Sequence, residues 1–555
     1  MKLKVVLNMY KPLKSMALNR LAVCFILIAL VTTVYAQENR YVVFFKDKQG
    51  TVYSVDNPSA FLGERAIERR SKQGIAITEQ DFPVNSNYVQ DVKSLSVTVF
   101  YSTRWMNGIL VQCDASKIPD IEALSSVDHV ELVAPGAKPL SSGRKKFITH
   151  RASQSAVPVT YTQLNMLGME DMHLAGYHGE GVSIAVLDAG FPGVNLTEAF
   201  QPVFTEGRFN DSVSYDFVHG DQNVFQSVEH GTEVLSTIAA YLAGTFVGGA
   251  YKANFQLYIT EDDDTEYRIE EYNWLLAAER ADSAGVDIIN SSLGYNTFDL
   301  SSMNYSKSDL DGETAVITRA AQWAAERGVL VVVSAGNEGS NSWGTITTPA
   351  DADDVLAVGA VNSNRERSSI SSTGPSADGR IKPDVAAMGI ATAVIRGNGN
   401  GTFLNGTSFA APLIAALAAG IWQKYPDLTN LELMDIIKQS ASQAASPDNL
   451  LGYGIPNFVA VVNKMEWQPQ LEKVVIYPNP IVSDALTISP SDPDEISTCL
   501  VEIISLQGQV IATQQVAFDW VKRTYIANCE TLTPGMYFLR ATLGKDIYAF
   551  KIVKL

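Results

Sequence analysis

Hydrophobic and polar positions fall into three successive patterns along the chain. Residues 37–135 predict strands at 40–45, 94–101, 107–113 and 127–133, with helices at 60–73 and 115–124. Strand, helix, strand, strand, helix, strand in that order predicts a small α+β sandwich built on an antiparallel sheet. Between about 161 and 465 the pattern changes. Short, largely apolar runs at 182–187, 286–289 and 329–333, broken only by Ser183 and Asp287, alternate with helical stretches at 272–284 and 315–328. Strands apolar on both faces and joined by helices predict an α/β region with a doubly wound, mostly parallel sheet. Over 470–555 short strands return at 474–477, 485–489, 500–505, 536–542 and 547–553, and turn signals such as Gln507-Gly508, Pro534-Gly535 and Gly544-Lys545 separate them. That spacing predicts a small β-sandwich. Residues 136–160 lose all periodicity and carry Ser-Ser-Gly-Arg-Lys-Lys, which reads as an exposed linker open to proteolysis.

Composition narrows the setting. A chain of 555 residues that is 46% hydrophobic and 18% charged is ordered and holds about two to four units. Its net charge of −18 argues against nucleic acid or an anionic membrane surface as a partner. Lys2, Lys4, Lys11, Lys14 and Arg20 precede an apolar run over 21–34 that closes in Val34-Tyr35-Ala36. A basic start, a short apolar stretch and a small-residue exit predict a secretory signal over 1–36, since the run is short for a membrane span. Val23 is a poor residue to precede a lipidated Cys24. The other cysteines, Cys113, Cys499 and Cys529, have neither metal-ligand spacing nor a disulfide framework. Cys499 and Cys529 share the C-terminal segment, and strand geometry decides whether they pair.

In open α/β sheets, functional groups gather beyond the C-terminal ends of the strands. The first strand here ends in Val186-Leu187-Asp188-Ala189-Gly190, a carboxylate beside a flexible turn. Another ends in Asn290-Ser291-Ser292-Leu293-Gly294, small residues able to present backbone groups to an extended peptide. A third leads into Ser334-Ala335-Gly336-Asn337-Glu338-Gly339, an amide between glycines. Of six histidines, His230 alone opens a helix, with Val234, Ile238 and Leu242 forming an apolar stripe. Asn405-Gly406-Thr407-Ser408-Phe409-Ala410-Ala411-Pro412 starts a long small-residue helix. Pro412 is expected in its first turn, and the Ser408 hydroxyl beside free backbone N–H groups. Taken singly, each site has a plainer reading: a cap for Ser408, a capping or surface histidine for His230.

Taken together, Val-Leu-Asp-Ala-Gly, His-Gly-Thr, Ala-Gly-Asn-Glu-Gly and Gly-Thr-Ser-Phe-Ala-Ala-Pro resemble, in order, the four blocks of the subtilisin-like serine peptidases (family S8) over about 160–465. The resemblance implies peptide-bond hydrolysis through an acyl-enzyme. Ser408 would be the nucleophile, His230 the general base and acid, Asp188 the orienting carboxylate, and Asn337 with the Ser408 N–H the oxyanion donors. It further implies substrate binding by Ser292, Leu293 and Gly294 facing Ser334, Ala335 and Gly336, with Thr347, Thr348, Pro349 and Ala350 near the pocket floor. No cofactor is required. Structural calcium is common in the family, but spacing assigns no ligands. Glu233 stands where the family often has a second histidine, and the run Glu261-Asp262-Asp263-Asp264 could face a basic substrate residue, a calcium ion or solvent.

The flanking regions fit the same picture. Element order over 37–135 resembles an inhibitory propeptide, the alternative being a permanent N-terminal domain. Tyr477-Pro478-Asn479-Pro480, Leu506-Gln507-Gly508, Pro534-Gly535-Met536-Tyr537 and the terminal Lys551-Ile552-Val553-Lys554-Leu555 resemble the type IX secretion sorting domain; a binding sandwich is the alternative. The partners implied are protein or peptide substrates, the chain's own propeptide and the type IX machinery, with a destination outside the cell or on its surface. Two rivals are a silent adhesin on the same scaffold and a sedolisin-like peptidase. The intact set of four residues argues against the first, and His230 with Asn337 against the second.

Overall fold

The computed structural model describes residues 38–136, 159–466, 474–490, 498–506, 508–519, 524–544 and 546–555. The expected signal and almost all of the 136–160 linker lie outside them. Two compact units divide the chain, Met1–Val459 and Ala460–Leu555.

The first unit begins with β1 (Asn39–Phe45), α1 (Glu64–Gln73), α2 (Ser86–Ser94), β2 (Thr98–Thr103), β3 (Gly108–Cys113), α3 (Ile118–Glu122) and β4 (Val127–Ala134). Its strands form an antiparallel sheet in the order β2-β3-β1-β4. Because neighbouring strand residues face opposite ways, Val43, Ile109 and Val111 pack with Val92 and Ile121 of α2 and α3. Val42, Leu110 and Val133 turn instead into the core of the following region. α2 is an element the periodicity did not announce. It buries only Val92, and Asn85 starts it by accepting from the Asn87 N–H at 2.9 Å.

A seven-stranded sheet follows. Its parts are β5 (Ser183–Asp188), β6 (Tyr215–Asp216), α4 (His230–Ala239), β7 (Asn254–Ile259), α5 (Ile269–Ser283), β8 (Ile288–Ser291), α6 (Val316–Glu326), β9 (Leu330–Ser334), β10 (Val355–Val361) and β11 (Val385–Met388). A hairpin, β12 (Thr392–Ile395) and β13 (Gly401–Leu404), leads into α7 (Thr407–Lys424). The strand order is β11-β10-β9-β8-β5-β7-β6, and every pair is parallel. From β5 the chain first builds to one side and then crosses to the other, so the switch point lies between β5 and β8. β5, β8, β9, β10 and β11 are buried along their whole length, which explains their apolar runs. Two of the strands missed by pattern are interrupted: Gln256 lies within β7 and Gly359 within β10. α4 stops at Ala239, so Leu242 leaves the expected stripe.

The second unit holds β14 (Val474–Tyr477), β15 (Ala485–Pro490), β16 (Thr498–Ile504), β17 (Val510–Ala517), β18 (Tyr525–Asn528), β19 (Gly535–Leu543) and β20 (Asp546–Lys554). Sheets β14-β15-β18 and β17-β16-β19-β20 share a core of Leu486, Ile488, Val501, Ile503, Leu539 and Ala541, as a sandwich requires. Cys499 and Cys529 are both buried in that core as free thiols, so the possible pairing does not occur.

Candidate active site

The site is assembled at the C-terminal edge of the sheet. Asp188 closes β5 with its side chain fully buried, and one oxygen, Oδ1, accepts from the Ala189 N–H at 2.8 Å. The same oxygen accepts from His230 Nδ1 at 2.7 Å. With Nδ1 donating, Nε2 is the ring nitrogen left to accept a proton. His230 reaches this place as the first residue of α4, because Gly231 lets the helix start press against the strand end. A Cβ at Gly231 would stand 2.4 Å from the Gly190 carbonyl oxygen and 3.0 Å from Asp188 Cβ. On its other side the His230 ring lies 5.8 Å, centre to centre, from the Phe409 ring, which brings the start of α7 beside it.

Ser408 is the second residue of α7. The cap position belongs to Gly406, which makes no side-chain cap bond, so Ser408 is not a cap. Its Oγ donates to the Ser292 carbonyl at 3.3 Å, and the Ser292 Oγ donates to the Ser408 carbonyl at 2.8 Å. Pro412 lies inside the helix, a turn further along than the sequence suggested. Asn337, just past β9, accepts through Oδ1 from the Thr407 N–H at 2.9 Å and from Thr407 Oγ1 at 3.0 Å. This fixes the amide so that its NH2 faces elsewhere. A Cβ at Gly406 would stand 3.6 Å from the Ser408 nitrogen and 3.7 Å from Asn337 Nδ2. Both nitrogens therefore border the same space beside Gly406, and the φ of +155° there is one that favours glycine.

Ser292, Leu293 and Gly294 leave β8 beside Ser334, Ala335 and Gly336, and Ser334 Oγ donates to the Leu293 carbonyl at 3.4 Å. Gly294 and Gly336 both face Thr347: a Cβ on either would come within 2.3 Å and 2.9 Å of its Oγ1. Tyr295 and Thr348 exchange backbone hydrogen bonds at 3.0 and 3.2 Å, closing the end between the two segments.

Burial disfavours the charged form of His230, but the Asp188 charge and hydrogen bond outweigh it, and Glu233 and Glu261 add to them. The net displacement is upward. Burial raises Glu233 to about 7, although His230 and Arg396, the latter at 3.2 Å, favour its ionised form. The other described histidines are engaged elsewhere: His129 stacks on Phe44, His173 meets the Gly249 carbonyl and His178 meets Glu180. His219 makes an equally short contact with Asp216 at 2.7 Å, but that pair closes a local turn, with Asp216 also accepting from the Val218 and His219 N–H groups.

The acidic run does not act as a block. Glu261 gathers with Glu266 and Glu270, one oxygen of each within 4.8 Å of the others, and Tyr295 donates its hydroxyl to Glu261. Three carboxylates are fewer than the roughly six to eight oxygens that calcium takes, and no chemical step is assigned to them.

The profile of the Subtilase family (peptidase S8) matches residues 179–454. Subtilisin E of Bacillus subtilis is 30% identical over 342 residues, covering 61% of this chain and 76% of that protein. The chain belongs to the subtilase family. Subtilisin of Bacillus pumilus is 32% identical over 278 residues, 50% of this chain and 89% of its own. This subtilase also matches the peptidase S8 propeptide domain of Bacteroidota at 40–150 and a secretion system C-terminal sorting domain at 475–555. It is thus a serine-type endopeptidase with a propeptide domain and a tail that marks it for secretion. The epidermin leader peptide processing serine protease of Staphylococcus aureus shares the fold, with a TM-score of 0.54 at 17% identity over 78% of this chain and 99% of that one. Among the described residues no helix is long and apolar enough to cross a membrane.

Proposed function

We propose that this subtilase hydrolyses peptide bonds through a triad of Asp188, His230 and Ser408. The observation that carries the reading is the convergence at one sheet edge of the short Asp188–His230 contact and the paired donors at Gly406. Ser408 Oγ attacks the scissile carbonyl while His230 Nε2 takes its proton and later delivers it to the leaving amine. Asp188 keeps the proton on Nδ1 and stabilises the imidazolium without being protonated. Asn337 Nδ2 and the Ser408 N–H receive the oxyanion, and water then releases the acyl group from Ser408. Ser292, Leu293 and Gly294 pair with the substrate backbone opposite Ser334, Ala335 and Gly336.

The protein is made, in this reading, as a preproprotein with a signal over 1–36. It cuts itself within 136–160, and the freed 37–135 domain remains an intramolecular inhibitor until it is lost. The 470–555 domain is handed to the type IX machinery for passage to the cell surface or beyond. Ser408→Ala is expected to abolish peptide hydrolysis and labelling by serine-directed phosphonates, and to leave the chain uncut at the linker by intact mass. Undiminished hydrolysis by that variant would remove Ser408 from the mechanism.

A further inference from the structure

In an α-helix the carbonyl of residue i receives the N–H of residue i+4. For Ser408 that partner is Pro412, which has no N–H, so the helix itself cannot satisfy the Ser408 carbonyl. The carbonyl belongs to a residue only 7% exposed, where an unmet acceptor is costly. The Ser292 hydroxyl meets it, donating at 2.8 Å from the segment that leaves the central strand β8. Asn290, fully buried on β8, donates its Nδ2 to Ser292 Oγ at 3.4 Å, which leaves the hydroxyl proton for Ser408. In return the Ser408 hydroxyl donates to the Ser292 carbonyl at 3.3 Å.

We infer that the Ser292 side chain is a positioning residue, which replaces the N–H that Pro412 removes and so locks the Ser408 backbone to the central strand. The inference rests on Ser408 being the nucleophile. The Ser408 N–H and Oγ belong to the residue whose carbonyl is held, and their aim at a reacting carbon and its oxyanion depends on where that residue sits. An α7 with an ordinary residue at 412 would satisfy the carbonyl internally, and its first turns would be free to settle independently of β8. With proline there, placement of the nucleophile becomes a tertiary contact between two elements of the site. Ser292 thus holds Ser408 through both its hydroxyl and its carbonyl.

A double-mutant cycle tests the link. Ser292→Ala is expected to lower kcat about tenfold or more while KM changes less than about threefold, since a small misplacement of the nucleophile acts on the chemical step. Ser292→Thr keeps the hydroxyl and is expected to recover most of the rate. Pro412→Ala returns an N–H to the Ser408 carbonyl, so Ser292→Ala made in that background should cost much less than in the wild type. Equal losses in the two backgrounds, or a Ser292→Ala enzyme with unchanged kcat, would overturn the inference. If Ser292→Ala alone fails to accumulate, accumulation of the double variant supports the link and continued failure overturns it. A Ser408→Ala protein that still hydrolyses peptide would instead refute the nucleophile assignment beneath it.

Discussion

The two edges of the central sheet handle charge in opposite ways. At the edge where the strands begin, Asp282 at the end of α5 is fully buried and holds Arg69 at 2.5 Å, Arg70 at 2.7 Å and Arg104 at 3.0 Å. Arg70 also reaches Asp81 at 2.9 Å, and Asp81 holds Arg327 at 2.9 Å. Glu279 accepts from Thr103 Oγ1 at 2.5 Å and from the Arg104 and Trp105 N–H groups at 3.0 and 3.1 Å. At the edge where the strands end, Asp188 has one buried oxygen bonded twice and a second, Oδ2, with no hydrogen-bond partner. The first edge matches charge with charge and binds the propeptide region to the enzyme. At the second, single polar groups stand around a common space, where the proposed mechanism brings Asn337 Nδ2 and the Ser408 N–H to the oxyanion. Buried ion pairs between two regions give cohesion at the first edge, although Arg70 Nε, Arg104 Nε and Trp105 Nε1 there make no hydrogen bond. The second edge carries the single Asp188–His230 contact instead.

The contrast breaks most visibly at the edge where the strands end. Asp188→Asn keeps the shape but lets the imidazole take the wrong tautomer, and kcat is expected to fall about ten-thousandfold with an unchanged circular dichroism spectrum. Asn337→Asp retains the acceptor for Thr407 and removes the amide donor. Its kcat is expected to fall about a hundred- to a thousandfold with KM little affected, the size of loss such a donor carries in subtilisin. A loss spread over KM and thermal stability would show that Asn337 acts only as a brace for α7.

Both predictions concern residues that could be read from the sequence, and the reason is local. Asp188 closes a wholly buried, largely apolar strand, Asn337 follows another, and Ser408 opens a helix buried from Thr407 to Trp422, so each site is marked by a strong pattern ending abruptly. The opposite edge gave no such sign. Arg70 and Asp282 meet across 212 positions, and nothing near either residue indicates the other. α2 and β17 went unseen because most of their residues face solvent, which leaves no apolar period to follow. The placement of Pro412 was missed for a different reason. The helix boundary depends on the backbone at Gly406, and the composition of 405–412 suits a start at several positions.

The ion-paired edge should respond in stability rather than rate. Asp282→Ala would leave three guanidinium groups facing one another without their shared anion. In the uncut Ser408→Ala protein this is expected to cost about 3–5 kcal/mol in urea unfolding. If the N-terminal domain is removed as proposed, Arg69 and Arg70 of α1 and Arg104 just after β2 go with it. The processed Asp282→Ala enzyme should therefore keep kcat within about twofold of the wild type. A large fall in kcat instead would mean that the two edges are coupled through α5.

Glu233 offers the finest test, because it lies at the catalytic edge yet is partnered like the other one. It sits one turn after His230 on α4, 2% exposed, with Arg396 at 3.2 Å. Burial raises its carboxyl to about 7, so it ionises over the range in which His230 matters. Its negative charge adds to that of Asp188 in favouring the imidazolium. Glu233→Gln removes this contribution, so His230 should lose its proton more readily and the acid limb of kcat/KM should move to lower pH. At about pH 6 the wild-type carboxyl is already mostly protonated and the two enzymes should nearly coincide, whereas near pH 7 the variant is expected to exceed the wild type by up to about twofold, with the alkaline plateau unchanged. Stability carries its own sign. A carboxyl whose folded value lies above the ordinary 4.5 binds its proton more tightly in the folded state, so its contribution is full below that value and lost as pH rises through about 7. The gain in melting temperature from Glu233→Gln should consequently be larger at about pH 8 than at about pH 5. If the limb moved the other way, Arg396 rather than Glu233 would dominate the field at His230.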